Sequence, residues 1–179
     1  MPRRLSSFLL AFLFAAGCAA AVHAQTQDDP LTEDEVQQIR DNKINPNERV
    51  KLYLKFIDQR LDSIKQLAGA GKSAKEKSQI HDKFDEFTRL CDELQDNLDT
   101  YNEAHADVRK SLKDLVADTA RWPTVLNAVG TDPTFDFSQK TALEAAKSAA
   151  DQAHEMSIEQ QAYFDAHKKE RGGTGTGPG

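Results

Sequence analysis

The chain has 179 residues, with 29 acidic against 23 basic, a net charge of −6 and 39% hydrophobic residues. That length supports one domain with a real core. An acidic chain with no block of Lys or Arg is a poor match for nucleic acid, and no segment carries the basic face of a membrane-surface helix.

Arg3 and Arg4 precede an apolar run from Phe8 to Ala16 and small residues ending at Val22-His23-Ala24. Positive, apolar and small in that order is a secretory signal, residues 1–24, with cleavage favoured after Ala24. The run falls short of the roughly 20 residues of a membrane span. Ala15-Ala16-Gly17-Cys18 gives a second reading, a bacterial lipobox with Cys18 as a lipidated first residue, although Ala15 stands where Leu is usual. Arg3-Arg4 also suits a twin-arginine route, but the rest of that signal is missing. The expected address is periplasmic or secreted, the alternative a membrane-anchored lipoprotein. Cleavage after Ala24 removes two arginines and no acid, taking the net charge from −6 to −8. It leaves Cys91 as a single thiol, so no internal disulfide framework is expected.

Residues 25–45 form a polar leader with a short helix. In Leu31-Thr32-Glu33-Asp34-Glu35-Val36, Thr32 can cap, Glu35 can close a capping box, and Leu31 can staple against Val36. Asn42 and Asn45-Pro46 stop this helix. Leu31-Thr32 at a helix start resembles the Leu-Thr-x-x-Gln signature of the periplasmic stress chaperones of the Spy and CpxP type, with Glu35 where that signature has Gln. The resemblance covers a handful of residues and implies a client- or partner-binding role.

The helical domain is expected over 46–171. Asn45 as cap, Pro46 in the first turn and Glu48 start a helix over about 46–69. Its stripe is Val50, Tyr53, Leu54, Ile57, Leu61, Ile64 and Ala68, widened by Leu52, Phe56 and Leu67. So broad a stripe must be covered from two sides. Gly69-Ala70-Gly71-Lys72-Ser73 breaks the chain. Gly71-Lys72-Ser73 is similar to the end of a P-loop, but Gln66 occupies the required glycine position and no strand precedes it, so a helix–helix turn is expected. Ser73 and Glu76 offer another capping box.

From Ile80 to Val129 one apolar seam steps by four and three: Ile80, Phe84, Phe87, Cys91, Leu94, Leu98, Tyr101, His105, Val108, Leu112, Leu115, Thr119, Trp122, Leu126 and Val129. Such spacing returns to one side of a helix. The unbroken phase, with no Gly or Pro between 74 and 121, predicts one continuous central helix over about 74–121, about 70 Å long. The expected fold is all-α, an antiparallel helical hairpin or bundle around that helix. The alternative is an up-down four-helix bundle with a break near Thr100, where Asp96, Asn97, Asp99, Thr100 and Asn102 are poor helix formers. Pro123 then forces a kink or a fresh short helix, and Gly130 with Asp132-Pro133 ends it.

Phe135 and Phe137 lead into a last helix over about 138–169, capped by Asp136 or Ser138. Its stripe is Ala142, Ala146, Ala149, Ala153, Met156, Gln160, Tyr163 and His167, where alanines admit a close neighbour. Lys168, Lys169 and Arg171 suit its C-terminus. Residues 172–179 read as a disordered Gly/Thr tail.

Candidate chemistry is sparse. Asp151 and His154, three apart, form half of a metal site, and a third ligand there would make a metal-binding bundle, an alternative reading. His105 could titrate on the seam. Cys91 either packs as a small hydrophobe or bridges two copies. Cys91 and His105, about 21 Å apart along one helix, make no dyad. Asp92, Glu93, Asp96 and Asp99 read as a solvated face rather than a calcium loop. No catalytic, cofactor-binding or resident-metal residue is assigned and no enzyme is expected. The leading expectation is an exported, non-enzymatic helical protein of the bacterial envelope. It would act through contacts with a partner, a client or a second copy, using the Val50–Leu67 stripe and the aromatic end at Trp122, Phe135 and Phe137. A lipid-anchored spacer held by Cys18 is a further alternative.

Overall fold

The computed structural model describes residues 29–70 and 73–168. The described residues form six helices and no strand: α1 (Glu33–Asp41), α2 (Pro46–Ala70), α3 (Ala74–Glu103), α4 (Arg109–Thr119), α5 (Trp122–Ala128) and α6 (Asp136–Ala166). The expected all-α bundle is what the chain adopts.

Local chemistry sets most of the boundaries. Thr32 with Glu35 and Ser73 with Glu76 each close a capping box at the starts of α1 and α3. The Asn45 side chain accepts from the Glu48 amide at 3.3 Å, one residue before Pro46 opens α2. Pro123 sits in the first turn of α5, where its missing N–H costs nothing. Gly130 takes φ 77° just beyond α5, a left-handed angle that suits glycine. The cap expected for α6 is different. Its first residue is Asp136, its N-cap is Phe135 with no side-chain cap bond, and Asp132 instead accepts from the Thr134 amide at 3.0 Å. Asp136 lies inside the first turn, and Ser138 is buried with its hydroxyl donating to the Phe135 carbonyl.

The continuous helix over 74–121 is replaced by a reversal at 104–108, close to the alternative break near Thr100. The Ala106 amide donates to the Tyr101 carbonyl at 2.9 Å and the His105 amide to that of Asn102 at 3.0 Å, while His105 takes φ 50°. This is a Schellman motif with histidine at the left-handed position that glycine usually fills. The seam keeps its phase because Tyr101 to Val108 spans seven residues, the count of two helical turns, whether or not those residues are helical. Of the fifteen seam positions only His105 is exposed.

Pairings across the bundle give its topology. Arg60 meets Glu86, Tyr53 meets Glu93 and Arg49 meets Asn97, so α2 and α3 are antiparallel. Gln95–Ser148, Asp99–Gln152 and Asn102–Glu159 pair residues 53 to 57 apart, so α3 and α6 run side by side in one direction. Asn47 reaches Asp107 and Ser111, and Asp58 reaches Arg121, which sets α4 and α5 parallel to α2. No Cα of α3 approaches α4 or α5, nor α2 approaches α6, within 8 Å. The α3–α4 reversal therefore crosses the bundle diagonally. Around the square the order is α2, α3, α6, then α4 with α5.

The core closes inside one chain. Ala142, Ala145, Ala146, Ala149 and Ala153 are buried on α6, which lets α3 and α4 approach it. Phe84 packs on Phe135 and Phe87 meets Trp122 edge-on at 5.6 Å, filling the centre. The broad α2 stripe is covered by α3, by α4 with α5, and by α1 on its outer flank.

Candidate functional site

A charged group at the junction of α1, α2 and α3 is the most heavily bonded polar site described. Arg60 lies on α2 one turn beyond Phe56, with its side chain only 9% exposed. Its Nη1 and Nη2 donate to the two carboxylate oxygens of Glu35 at 2.6 and 2.7 Å. Nη2 also donates to the Pro30 carbonyl at 2.6 Å, and Nε donates to Glu86 at 3.0 Å. Lys83 donates to the other oxygen of Glu86 at 2.6 Å. A planar guanidinium is matched to such a fork, and a Lys in its place would lose the two-point grip.

Glu35 does two jobs there. Its Oε2 accepts from the Thr32 amide at 2.8 Å as the capping-box partner while it also takes Arg60. Burial alone would raise its carboxyl pKa, but the Arg60 hydrogen bonds, the Thr32 amide and the Arg60 charge outweigh that and hold it below the ordinary glutamate value. Beside the group, Ser63, Leu67, Gln79, Asp82 and Lys83 line an open groove of about 510 Å³ between α2 and α3. Pro30, Leu31 and Thr32 wall a smaller opening of about 260 Å³ on the same flank.

The opposite end carries a stack of rings. Tyr163 lies between His105 and His167, each at 4.2 Å between centroids, with interplanar angles of 13° and 29°. Phe164 meets Tyr163 edge-on at 5.1 Å, and the Arg109 guanidinium covers the Phe164 ring at 4.5 Å. A pocket of about 250 Å³ opens here between Asn102, His105, Glu159 and Tyr163. Both faces of Tyr163 are taken by imidazoles, so an incoming group meets ring edges and the Glu159 carboxylate. Gln160 is committed as well: it accepts from the Val108 amide at 3.1 Å and donates to the Ala106 carbonyl at 2.8 Å, holding the reversal shut.

A third polar group bridges α2 and α3. Tyr53 donates to Glu93 at 3.2 Å, and Asn97 joins Tyr53 to Arg49. Burial, then the Glu93 charge and hydrogen bond, push the Tyr53 phenol up to about 12, and burial raises the Glu93 carboxyl.

The sequence candidates fall out as follows. Cys91 is buried, and desolvation with the nearby Asp92 charge pushes its thiol well above the usual range, so it packs as a small hydrophobe. Asp151 and His154 are on an exposed face, and Asp151 is bonded to Lys147. Among the described residues no three His, Cys, Asp or Glu side chains are grouped to hold a metal ion. Asp92, Asp96 and Asp99 are exposed, as expected of a solvated face, whereas Glu93 is drawn into the Tyr53 group. The gripping surface expected from Val50 to Leu67 with Trp122 and Phe135 is corrected: Val50, Ile57, Ile64, Trp122 and Phe135 are fully buried, and of the aromatic end only Phe137 is open, at 80% exposure. The signal peptide 1–24, Cys18, Gly71, Lys72, Lys169, Arg171 and the tail 172–179 lie outside the described residues.

Sequence reasoning missed Arg60 and Asn47. Arg60 sits i+4 from Phe56 and i−4 from Ile64, a cation on the edge of an apolar stripe, which is the signal that could have flagged it. Asn47 Oδ1 accepts from the Ser111 amide and so caps α4 from 64 residues away, which no local pattern announces.

Among the described residues no helix is long and apolar enough to cross a membrane. Comparison with family models, with curated proteins and with solved structures found no match.

Proposed function

We propose that the protein is an exported, non-enzymatic component of the bacterial cell envelope that acts through helix–helix contact with a protein partner, a client or a second copy. The export part rests on the order of Arg3-Arg4, the apolar run and Ala24 in the sequence. The contact part rests on one observation: α1 is an amphipathic helix laid on the flank of α2, and its Cα atoms come within 8 Å of no other helix of the bundle. The chain thus already recognises a helix at its surface, using a forked ion pair and a short apolar edge. A role in binding uses such a surface directly.

The test is light scattering on residues 25–179, alone and with a chemically unfolded client such as reduced lysozyme. The expected result is concentration-dependent self-association or suppression of client aggregation at near-stoichiometric ratio. A compact monomer that does neither overturns the proposal.

A further inference from the structure

The flank of α2 beneath α1 has the make-up of a helix receptor. Glu35 pairs with Arg60 and Gln38 with Lys55, residues 25 and 17 apart, so α1 runs antiparallel to α2 along the edge that carries Leu52, Phe56 and Arg60. Four residues separate Glu35 from Ile39, and four separate Arg60 from Phe56. In antiparallel register the carboxylate meets the guanidinium while the aliphatic side chain comes level with the ring.

The hold is narrow. Leu31 and Ile39 are the large apolar side chains that the α1 segment buries, with Val36 half-buried. The remaining strength is concentrated on Arg60, whose guanidinium faces Glu35 and the Pro30 carbonyl from the α1 side, and Glu86, with Lys83 behind it, from α3. Removing α1 leaves the mutual contacts of α2, α3, α4, α5 and α6 in place, since α1 lies between none of them and its Cα atoms come within 8 Å of α2 alone. It leaves Arg60 paired with Glu86 through Nε and opens its two Nη groups, a preformed fork for an incoming carboxylate.

We propose that this α2 flank is a binding site for an amphipathic helix presenting a carboxylate one turn before an aliphatic side chain, and that α1 occupies it in cis as a competing cover. The site rests on the helix-contact role proposed above and specifies its surface and its ligand chemistry. Selectivity comes from Arg60. A helix with the apolar edge but no carboxylate leaves both Nη groups without their forked acceptor, with Glu86 on Nε alone, and binds more weakly. One with the carboxylate but no aliphatic side chain leaves Phe56 uncovered.

The probe is a fluorescent peptide of residues 29–43, read by anisotropy against the chain of residues 25–179 carrying Leu31→Ala and Ile39→Ala, which loosens the cover and spares the α2 flank. The expected result is binding at least tenfold tighter than to the wild-type chain, since release of the cover frees the site. The same peptide with Glu35→Gln loses about tenfold or more, the range expected for one charged hydrogen-bonded pair. Circular dichroism and Trp122 emission report whether the core of the double variant is intact. If that variant does not fold, hydrogen exchange on the wild-type chain decides: excess peptide must speed exchange of residues 33–41, and the Glu35→Gln peptide must not. No binding to a folded double variant, binding indifferent to Glu35→Gln, or unchanged exchange overturns the site. Each of those results leaves the client-aggregation measurement standing on its own.

Discussion

Glu35 and Arg60, 25 residues apart in the chain, meet through two hydrogen bonds of 2.6 and 2.7 Å with about nine-tenths of each side chain out of water. A pair this dry is not worth counting as extra stability over an apolar substitute, but removing one member strands the other. Glu35→Gln should therefore undock α1 at a cost of about 2–4 kcal/mol. Hydrogen exchange should show faster exchange over residues 33–41 and unchanged protection over 84–98. Loss of protection throughout would mean that α1 is integral to the core.

Glu35 and Glu93 should respond to acid in opposite senses. The folded-state value of Glu35 lies below the ordinary 4.5, so the stability it contributes is complete above that value and is lost as pH falls through the lower, folded one. Burial raises Glu93 above 4.5, so its ionisation opposes folding as pH rises through the raised value. Glu35→Gln should then destabilise most at neutral pH and least in acid. Glu93→Gln should stabilise at neutral pH and lose that advantage below the ordinary range. Denaturant midpoints between pH 3 and 7 for the two variants check this; parallel curves would contradict it.

His105 couples backbone strain to the ring stack. At φ 50° a glycine is favoured over any residue with a side chain by about 1 kcal/mol. The stack on Tyr163 is worth about 0.5–1.5 kcal/mol in compensation. His105→Ala keeps the strain and loses the stack, whereas His105→Gly loses both. The alanine variant should be the less stable of the two by about 1 kcal/mol in thermal unfolding. The reverse order would mean that the reversal does not take the left-handed turn.

Asn47 is the cap of a helix that lies far along the chain. Its amide donates to the Asp107 carbonyl at 2.7 Å and its oxygen accepts from the Ser111 amide at 3.1 Å. Asn47→Ala should cost about 1–2 kcal/mol, the range for losing an N-cap with one further hydrogen bond. Asn47→Asp restores the acceptor only, and should recover part of that loss in denaturant unfolding.

Local signals made much of this fold legible. Both capping boxes, the Asn45-Pro46 start, the Pro123 break and the alanine stripe of α6 are written within a turn or two of where they act. The reversal at His105 is not. It uses no glycine, and its length happens to preserve the seven-residue count from Tyr101 to Val108, so the seam continues as though the helix did. The Arg60 group was hidden for a related reason: it joins Pro30, Glu35 and Glu86, positions linked only once α1, α2 and α3 have packed. The broad α2 stripe was visible as a surface needing cover, but nothing local says that the same chain supplies all of it.

The claim under every other one is that the chain doubles back after Tyr101 and closes its apolar ridge within a single copy. Lys77 and Asp132, bridged at 2.8 Å, show how near the start of α3 comes to the end of α5. Spin labels on Lys75→Cys and Thr124→Cys, both exposed sites, with Cys91 buried and unlabelled, measure this by pulsed dipolar spectroscopy. A distance of about 20 Å, the span of two or three helix diameters, is the result expected of the folded-back bundle. A distance near 70 Å, the length of one uninterrupted helix, would contradict it.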